Sequence, residues 1–314
     1  MDFRQLQYII KVAECGNITK AASELYIAQP SLSNYISKVE RELGVLLFDR
    51  TTIPIRPTLA GEAYIKDAKK ILYIDEQLQK KLHDISSITK GTIRIGIPYE
   101  RGSLMLPMIL PEFRQEFPET TVDIMTASSH RLKEALADGS LDFFILPFPE
   151  REPEWEYIHI YQEELFLCAG AGFIQRQHLL PNHSHTVDIS KCCSLPFIGV
   201  ESGHAISDTV DSIFPSSAGP RNFTYTAYGV SQAVRMAASG IGVTIAPRMT
   251  FSLTRYDPSA QIYSIGDPPL SWEVCAVYRR DAYLGKAERA FIRIAQEKLS
   301  GYSKELQTNF IPQA

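Results

Sequence analysis

Residues 17–50 read NITKAASELYIAQPSLSNYISKVERELGVLLFDR, and the apolar spacing in this stretch decides how the start of the chain folds. Pro30 sits where a helix tolerates proline, in its first turn. Leu32, Ile36, Val39 and Leu43 then follow at steps of 4, 3 and 4 until Gly44 ends the pattern. At roughly 100° per residue, the face opposite that stripe carries Pro30, Asn34, Ser37, Lys38 and Arg41, flanked by Gln29, Ser31 and Ser33. Such a face suits a recognition helix. Short side chains let it enter a major groove, an amide can bond adenine edges, and hydroxyls can reach phosphate. The alternative for the same face is ordinary solvation.

Upstream, Asn17 can cap a short helix carrying Ala21, Ala22 and Leu25, and the two alanines leave room for another helix to cross closely. Further upstream, Asp2 and Gln5 have capping-box spacing. Phe3, Leu6, Ile9, Ile10 and Ala13 follow at helical intervals until Gly16.

The segments Ala21-Ala22-Ser23-Glu24-Leu25, Ala28-Gln29-Pro30-Ser31-Leu32-Ser33, Leu43-Gly44-Val45-Leu46-Leu47-Phe48-Asp49-Arg50 and Thr58-Leu59-Ala60-Gly61 together resemble the signature of LysR-type regulators in order and spacing. The resemblance implies a winged helix-turn-helix over residues 1–60 in which Gln29, Pro30, Ser31, Ser33 and Asn34 face double-stranded promoter DNA. Ser37 and Lys38 extend that face. Residues 45–58 would form the wing, with Arg50, Thr51 and Arg56 on the backbone or in the minor groove. The chain departs from the family at Asn34, where Arg or Gln is common, and at Thr52-Ile53-Pro54, where a basic wing tip is common.

Between Gly61 and Ile88 no proline intervenes, and Tyr64, Ala68, Ile71, Asp75, Leu78, Leu82 and Ile85 recur at steps of 4, 3, 4, 3, 4 and 3. This heptad seam predicts a linker helix over 61–90 that pairs with a second copy through Tyr64, Ala68, Ile71, Leu78, Leu82 and Ile85. Packing against the chain's own domains is the alternative. The family resemblance favours a homodimer that assembles further into a homotetramer.

After Gly91 the texture changes to short β-rich runs alternating with helical patterns, which predicts an α/β domain with open, mixed sheets. The resemblance specifies a two-lobed type 2 periplasmic-binding-protein-like fold over 91–300. Lobe one takes 91–162 and 268–300, lobe two takes 163–267, and 301–314 forms a tail. The whole is therefore multidomain: an all-α winged helix-turn-helix, a long linker helix and an α/β effector-binding domain.

Ligands in such folds bind beyond strand ends, where helix N-termini and loop hydroxyls converge. Three stretches fit: Pro98 to Ser103, Ser128 to His130 and Glu201 to His204. The resemblance carries effector contact to Glu100, Ser129, Ser202, His204 and Tyr228, and the same stretches add Arg101, Ser103 and Ser128 to the candidate effector set. Family members often carry Ser or Thr in place of Glu100. A carboxylate there repels an anionic effector unless Arg101 or His204 compensates, which favours an amine-bearing or neutral small molecule.

Charge fits this division. The chain of 314 residues has 32 basic and 36 acidic residues; residues 1–90 hold 13 and 11, the remainder 19 and 25. DNA contact therefore belongs near the N-terminus. No apolar signal core follows Met1 and no 18-residue apolar run occurs, so a cytoplasmic protein without membrane contact is expected. Five cysteines in a chain of this size read as reduced thiols.

An enzyme or metal site would have to draw on His178, His183, His185, Cys192 and Cys193, whose spacing matches no metal motif. Neither catalysis nor a cofactor beyond the effector is expected. Glu201-Ser202-Gly203-His204 resembles the stretch before the reactive cysteine of peroxide-sensing family members, but the next residue is Ala205. The rival class is a stand-alone solute-binding component of a transport system. Promoter DNA and the effector are the expected partners, with RNA polymerase as a further one.

Overall fold

The computed structural model describes residues 2–85, 91–147, 151–214, 223–253 and 260–309. The expected linker residues 86–90 and tail residues 310–314 lie outside the described residues. The chain divides into two compact units, Met1–Ser87 with Ala137–Ser140, and Ile88–Leu136 with Leu141–Ala314.

The first unit opens with α1 (Phe3–Cys15), whose N-terminus is closed by the reciprocal Asp2 and Gln5 capping box and whose C-terminus is closed by Gly16 at φ +58°. Asn17 caps α2 (Ile18–Glu24) by accepting from the Lys20 N–H. Helix α3 (Gln29–Leu43) carries Pro30 in its first turn and ends at Gly44, φ +71°. Ile9, Val12, Ala21, Ala22, Leu32, Ile36 and Val39 form the core where these helices cross. Strands β1 (Phe48–Asp49) and β2 (Arg56–Pro57) pair antiparallel to make the wing. Leu47 and Phe48 anchor the wing in the helical core, and Ile55 N–H donates to the Gly16 carbonyl.

Thr58 then starts α4 (Leu59–Ile85): its hydroxyl accepts from the Gly61 N–H and donates to the Leu46 carbonyl. A side chain at Gly61 would place its Cβ 1.9 Å from the Leu47 carbonyl oxygen, so only glycine lets the wing base approach this helix. At 27 residues, α4 is roughly 40 Å long.

Along α4 the heptad seam splits. Ala68 is buried against Leu6 and Ile10 of α1, with Tyr64 half-buried beside it, so these two positions are taken by the chain's own helix and leave the expected pairing seam. The reason lies in the partner: α1 offers a complementary apolar stripe at that end of α4. Ile71, Leu78, Leu82 and Ile85 are exposed, as is Ile74 outside the predicted seam.

The second unit alternates strands and helices. In its first part, β3 (Gly91–Gly96), α5 (Tyr99–Glu116), β4 (Thr120–Met125), α6 (Ser129–Ala137) and β5 (Phe143–Pro147) lead to the 15-residue strand β6 (Trp155–Ala169). After β7 (Thr186–Val187) come β8 (Phe197–Val200), α7 (Ala205–Ile213), β9 (Phe223–Ala227), α8 (Val230–Ala238), β10 (Val243–Pro247), α9 (Arg248–Leu253) and β11 (Gln261–Ile265). Strand β12 (Ser271–Arg279) and α10 (Lys286–Asn309) close the order.

Strands follow the order β4-β3-β5-β12-β6-β10-β8-β9. Strand β6 changes partners midway. Up to Glu164 it pairs with β12; from Leu165 it pairs with β10 on one side and, from Phe166, with β11 on the other. The switch divides the sheet into two lobes, and Leu165 N–H donates to the Leu270 carbonyl where the chain returns toward lobe one.

Candidate DNA-binding face and effector cleft

On α3, Leu32, Ile36 and Val39 are buried, while Gln29, Pro30, Ser31, Asn34 and Lys38 are exposed and Ser33 and Ser37 are half-buried. Among the described residues, the side chains of Gln29, Ser31 and Asn34 make no hydrogen bond within the chain. Their donors and acceptors therefore face solvent uncommitted. Lys38 lies 3.9 Å from Glu42 one turn on, an exposed pair worth little against a phosphate.

The wing presents a different chemistry. Thr51 is exposed, but its hydroxyl and N–H both donate to Asp49, and that bonding holds the Asp49 carboxyl below its ordinary range. Arg56 is exposed on β2, and Ile53 is almost wholly exposed at the wing tip. Arg50, expected on the DNA backbone, is instead tethered. Its guanidinium donates to Glu40 at 2.9 Å and to Ser37 at 3.2 Å. Glu40 is buried on the inner side of α3 and holds the arginine, whose side chain stays 40% exposed, because a buried carboxylate needs a charged partner.

Tyr26, which sequence reasoning passed over, sits in the turn before α3 with a left-handed backbone (φ +56°) and a fully presented side chain. A non-glycine residue held there stores strain of about 1–3 kcal/mol. An isolated aromatic between two helical patterns carries no periodic signal.

In the second unit, Pro98 caps α5, so Glu100 and Arg101 lie in its first helical turn. Consecutive helical residues point about 100° apart. Glu100 faces lobe two, where its Oε1 accepts from the Ser231 N–H at 2.8 Å, in the first turn of α8. Arg101 turns inward. It is buried, donates to Tyr161 and lies 3.1 Å from Glu163, which also accepts from Trp272 Nε1 and the Met249 N–H. Arg101 therefore leaves the candidate effector set, because its guanidinium is committed to the strand that joins the lobes; it does not offset the Glu100 charge. Ser103 is exposed and donates to the Tyr99 carbonyl.

A second bridge closes the cleft nearby. The buried Ser129 donates its N–H to the Gly203 carbonyl at 3.0 Å, and Ser128 lies against Gly203, between Ser202 and His204. His204 caps α7 and receives the Ser207 N–H on its carbonyl, leaving its ring half-exposed. Tyr228 is exposed just before α8. Lobe one's Glu100, Ser128 and Ser129 thus meet lobe two's 202–204 and 228–231 at two points.

The LysR substrate binding domain model matches residues 87–300, and the model for bacterial regulatory helix-turn-helix proteins of the lysR family matches residues 3–62. The chain belongs to the LysR family. This LysR-family chain is 26% identical over 314 residues to the uncharacterized HTH-type transcriptional regulator YcgK of Bacillus subtilis (strain 168), covering 95% of each. Among solved structures it resembles a full-length OxyR variant from Pseudomonas aeruginosa (TM-score 0.71, 22% identity, 94% of this chain and 98% of that one). It also resembles full-length CbnR complexed with its target DNA (TM-score 0.62, 22% identity, 95% and 100%). A LysR-family transcriptional regulator with an effector-binding domain accounts for both units, and the helix-turn-helix match leaves the transport reading without support.

Among the described residues no group of three His, Cys, Asp or Glu side chains is placed to hold a metal, and no helix is long and apolar enough to cross a membrane. Burial pushes the thiols of Cys168, Cys192 and Cys275 up to about 12, which keeps them protonated near neutrality.

Proposed function

We propose that this regulator reads promoter DNA with the exposed row Gln29, Ser31 and Asn34 of α3, while Lys38 and Arg56 hold phosphates. The uncommitted polar side chains carry this reading: Asn34 lies opposite the buried Leu32, Ile36 and Val39 with Gln29 and Ser31 on the flanks, and amide and hydroxyl groups of this kind can bond base edges. It acts by binding rather than turnover, in the cytoplasm where promoter DNA lies. It acts as a homodimer joined through Ile71, Leu78 and Leu82, with pairs of dimers forming a tetramer. CbnR, solved on its target DNA, supports that mode of action by fold.

The effector enters between the lobes at Glu100, Ser128, Ser129, Ser202 and His204. Because Glu100 already places a carboxylate on the N-terminus of α8, where anions are favoured, the cleft suits an amine-bearing or neutral small molecule better than a carboxylate. The test is enrichment of duplexes from a randomised pool by the full-length protein, followed by gel retardation. Recovery of a two-fold related pair of half-sites supports the reading, and binding of all duplexes alike opposes it.

A further inference from the structure

The buried carboxylate of Glu40 gathers three donors from beyond its own helix. Its Oε1 accepts from the Leu47 N–H at 2.9 Å and the Phe48 N–H at 3.3 Å, and its Oε2 accepts from Arg50 at 2.9 Å. Two of those donors are backbone groups where the chain leaves α3 and begins β1, and the third lies just past that strand. The same arginine nitrogen reaches back to Ser37 Oγ on α3, 3.2 Å away. Glu40 is 5% exposed, so the carboxylate has exchanged water for these partners, and losing one strands a charge in the interior.

We propose that Glu40 is the positioning residue that sets the wing against the recognition helix, and that Arg50 is its structural partner rather than a phosphate contact. A buried carboxylate with directional donors fixes angle as well as distance, which apolar packing of Leu47 and Phe48 does not do alone. The wing's own ladder is two residues long per strand and cannot hold its orientation unaided. Arg56, across the ladder from Asp49, is then the wing cation left for DNA. The inference presupposes that the chain binds DNA, not which α3 side chains read bases.

The experiment compares full-length wild type, Glu40→Gln, Arg50→Gln and the double variant on a duplex enriched from a randomised pool and on an unrelated duplex, across a salt series. Wild-type discrimination between the two duplexes, measured first, tests DNA reading by itself. Glutamine keeps an acceptor for the Leu47 N–H, and thermal unfolding checks the fold. A brace predicts that each single variant weakens the enriched duplex about tenfold and that the double variant is no weaker than the worse single. Binding to the unrelated duplex and the slope of log affinity against log salt stay as in wild type. A phosphate contact predicts opposite signs: Arg50→Gln flattens the slope by about one unit, and Glu40→Gln, by releasing a cation, tightens both duplexes. That result, or four proteins with one affinity, overturns the proposal. If Glu40→Gln fails to fold, the slope of Arg50→Gln decides: unchanged supports the brace, flattened overturns it.

Discussion

Glu100 of α5 and the backbone N–H of Ser231 in α8 are joined across the cleft between the two lobes by a 2.8 Å hydrogen bond. The first turn of α8 therefore has an anion supplied from the opposite lobe, and the lobes are held by the protein's own chemistry. Any ligand that separates Glu100 from Ser231 must offset a charge-assisted bond, of order 1.5–3 kcal/mol.

Removing that carboxylate should loosen the cleft locally. Glu100→Ala is expected to speed hydrogen exchange of the Ser231 amide about tenfold, with strands β3 and β10 unchanged, because the loss is confined to one interlobe bond. Mass-spectrometric exchange of the intact protein measures it. Equal protection at Ser231 in both proteins would show that the bond does not hold the cleft.

The buried hub at Glu163 should behave as structure. Arg101→Met leaves the Glu163 carboxylate without its charged partner and is expected to cost about 3–5 kcal/mol of unfolding free energy. Glu163→Gln with Arg101→Met removes both charges while keeping an amide oxygen for the Trp272 and Met249 N–H donors, and should recover much of that loss. Denaturant unfolding of the three proteins tests this, and a loss under 1 kcal/mol in the single variant contradicts it.

The split along α4 gives opposite expectations for neighbouring seam positions. Leu78→Glu with Leu82→Glu adds charge to an exposed apolar stripe and should lower the mass seen in sedimentation to that of one chain. Ala68→Leu instead crowds the contact with Leu6 and Ile10 and should cost about 1–3 kcal/mol of stability without changing association. Intact dimers of the glutamate variant would exclude the seam.

The three buried thiols should be silent near neutrality. With Cys168, Cys192 and Cys275 at about 12, their thiolate fractions stay negligible at pH 8, and alkylation of the native protein should reach them only after unfolding. These folded-state values lie above the ordinary thiol range, so the stability they contribute as protonated groups is complete at neutral pH. It declines as pH rises above the unfolded thiol's value. Rapid labelling of Cys192 at pH 7 would contradict the burial.

How much of this was legible in the sequence depends on the range of the cause. Helices α1 to α3 were readable because their caps Asp2, Asn17, Gly16 and Gly44 and their apolar steps are local. The length of β6 is not legible locally, because the burial of its first ten residues alternates irregularly and their partner β12 lies more than a hundred residues away. The inward turn of Arg101 was not legible because its partners Tyr161 and Glu163 lie some sixty residues on, and Pro98 caps α5 without a side-chain bond that would mark the helix start. The heptad on α4 showed that a helix must cover it, but its repeat does not distinguish α1 from a second copy. Glu40 was invisible for the same reason: its donors come from the wing.

One comparison tests most directly whether α3 reads bases. Wild type and Asn34→Ala are each used to enrich duplexes from the same randomised pool, with Arg56→Ala as the control that loses a phosphate contact. Asn34→Ala should lose preference at one base pair per half-site, at a cost of roughly 1–3 kcal/mol, while keeping the rest of the consensus. Arg56→Ala should recover the wild-type consensus with weaker binding to every sequence. An unaltered consensus from Asn34→Ala, with unaltered affinity, would contradict the assignment of α3 as the helix that reads DNA.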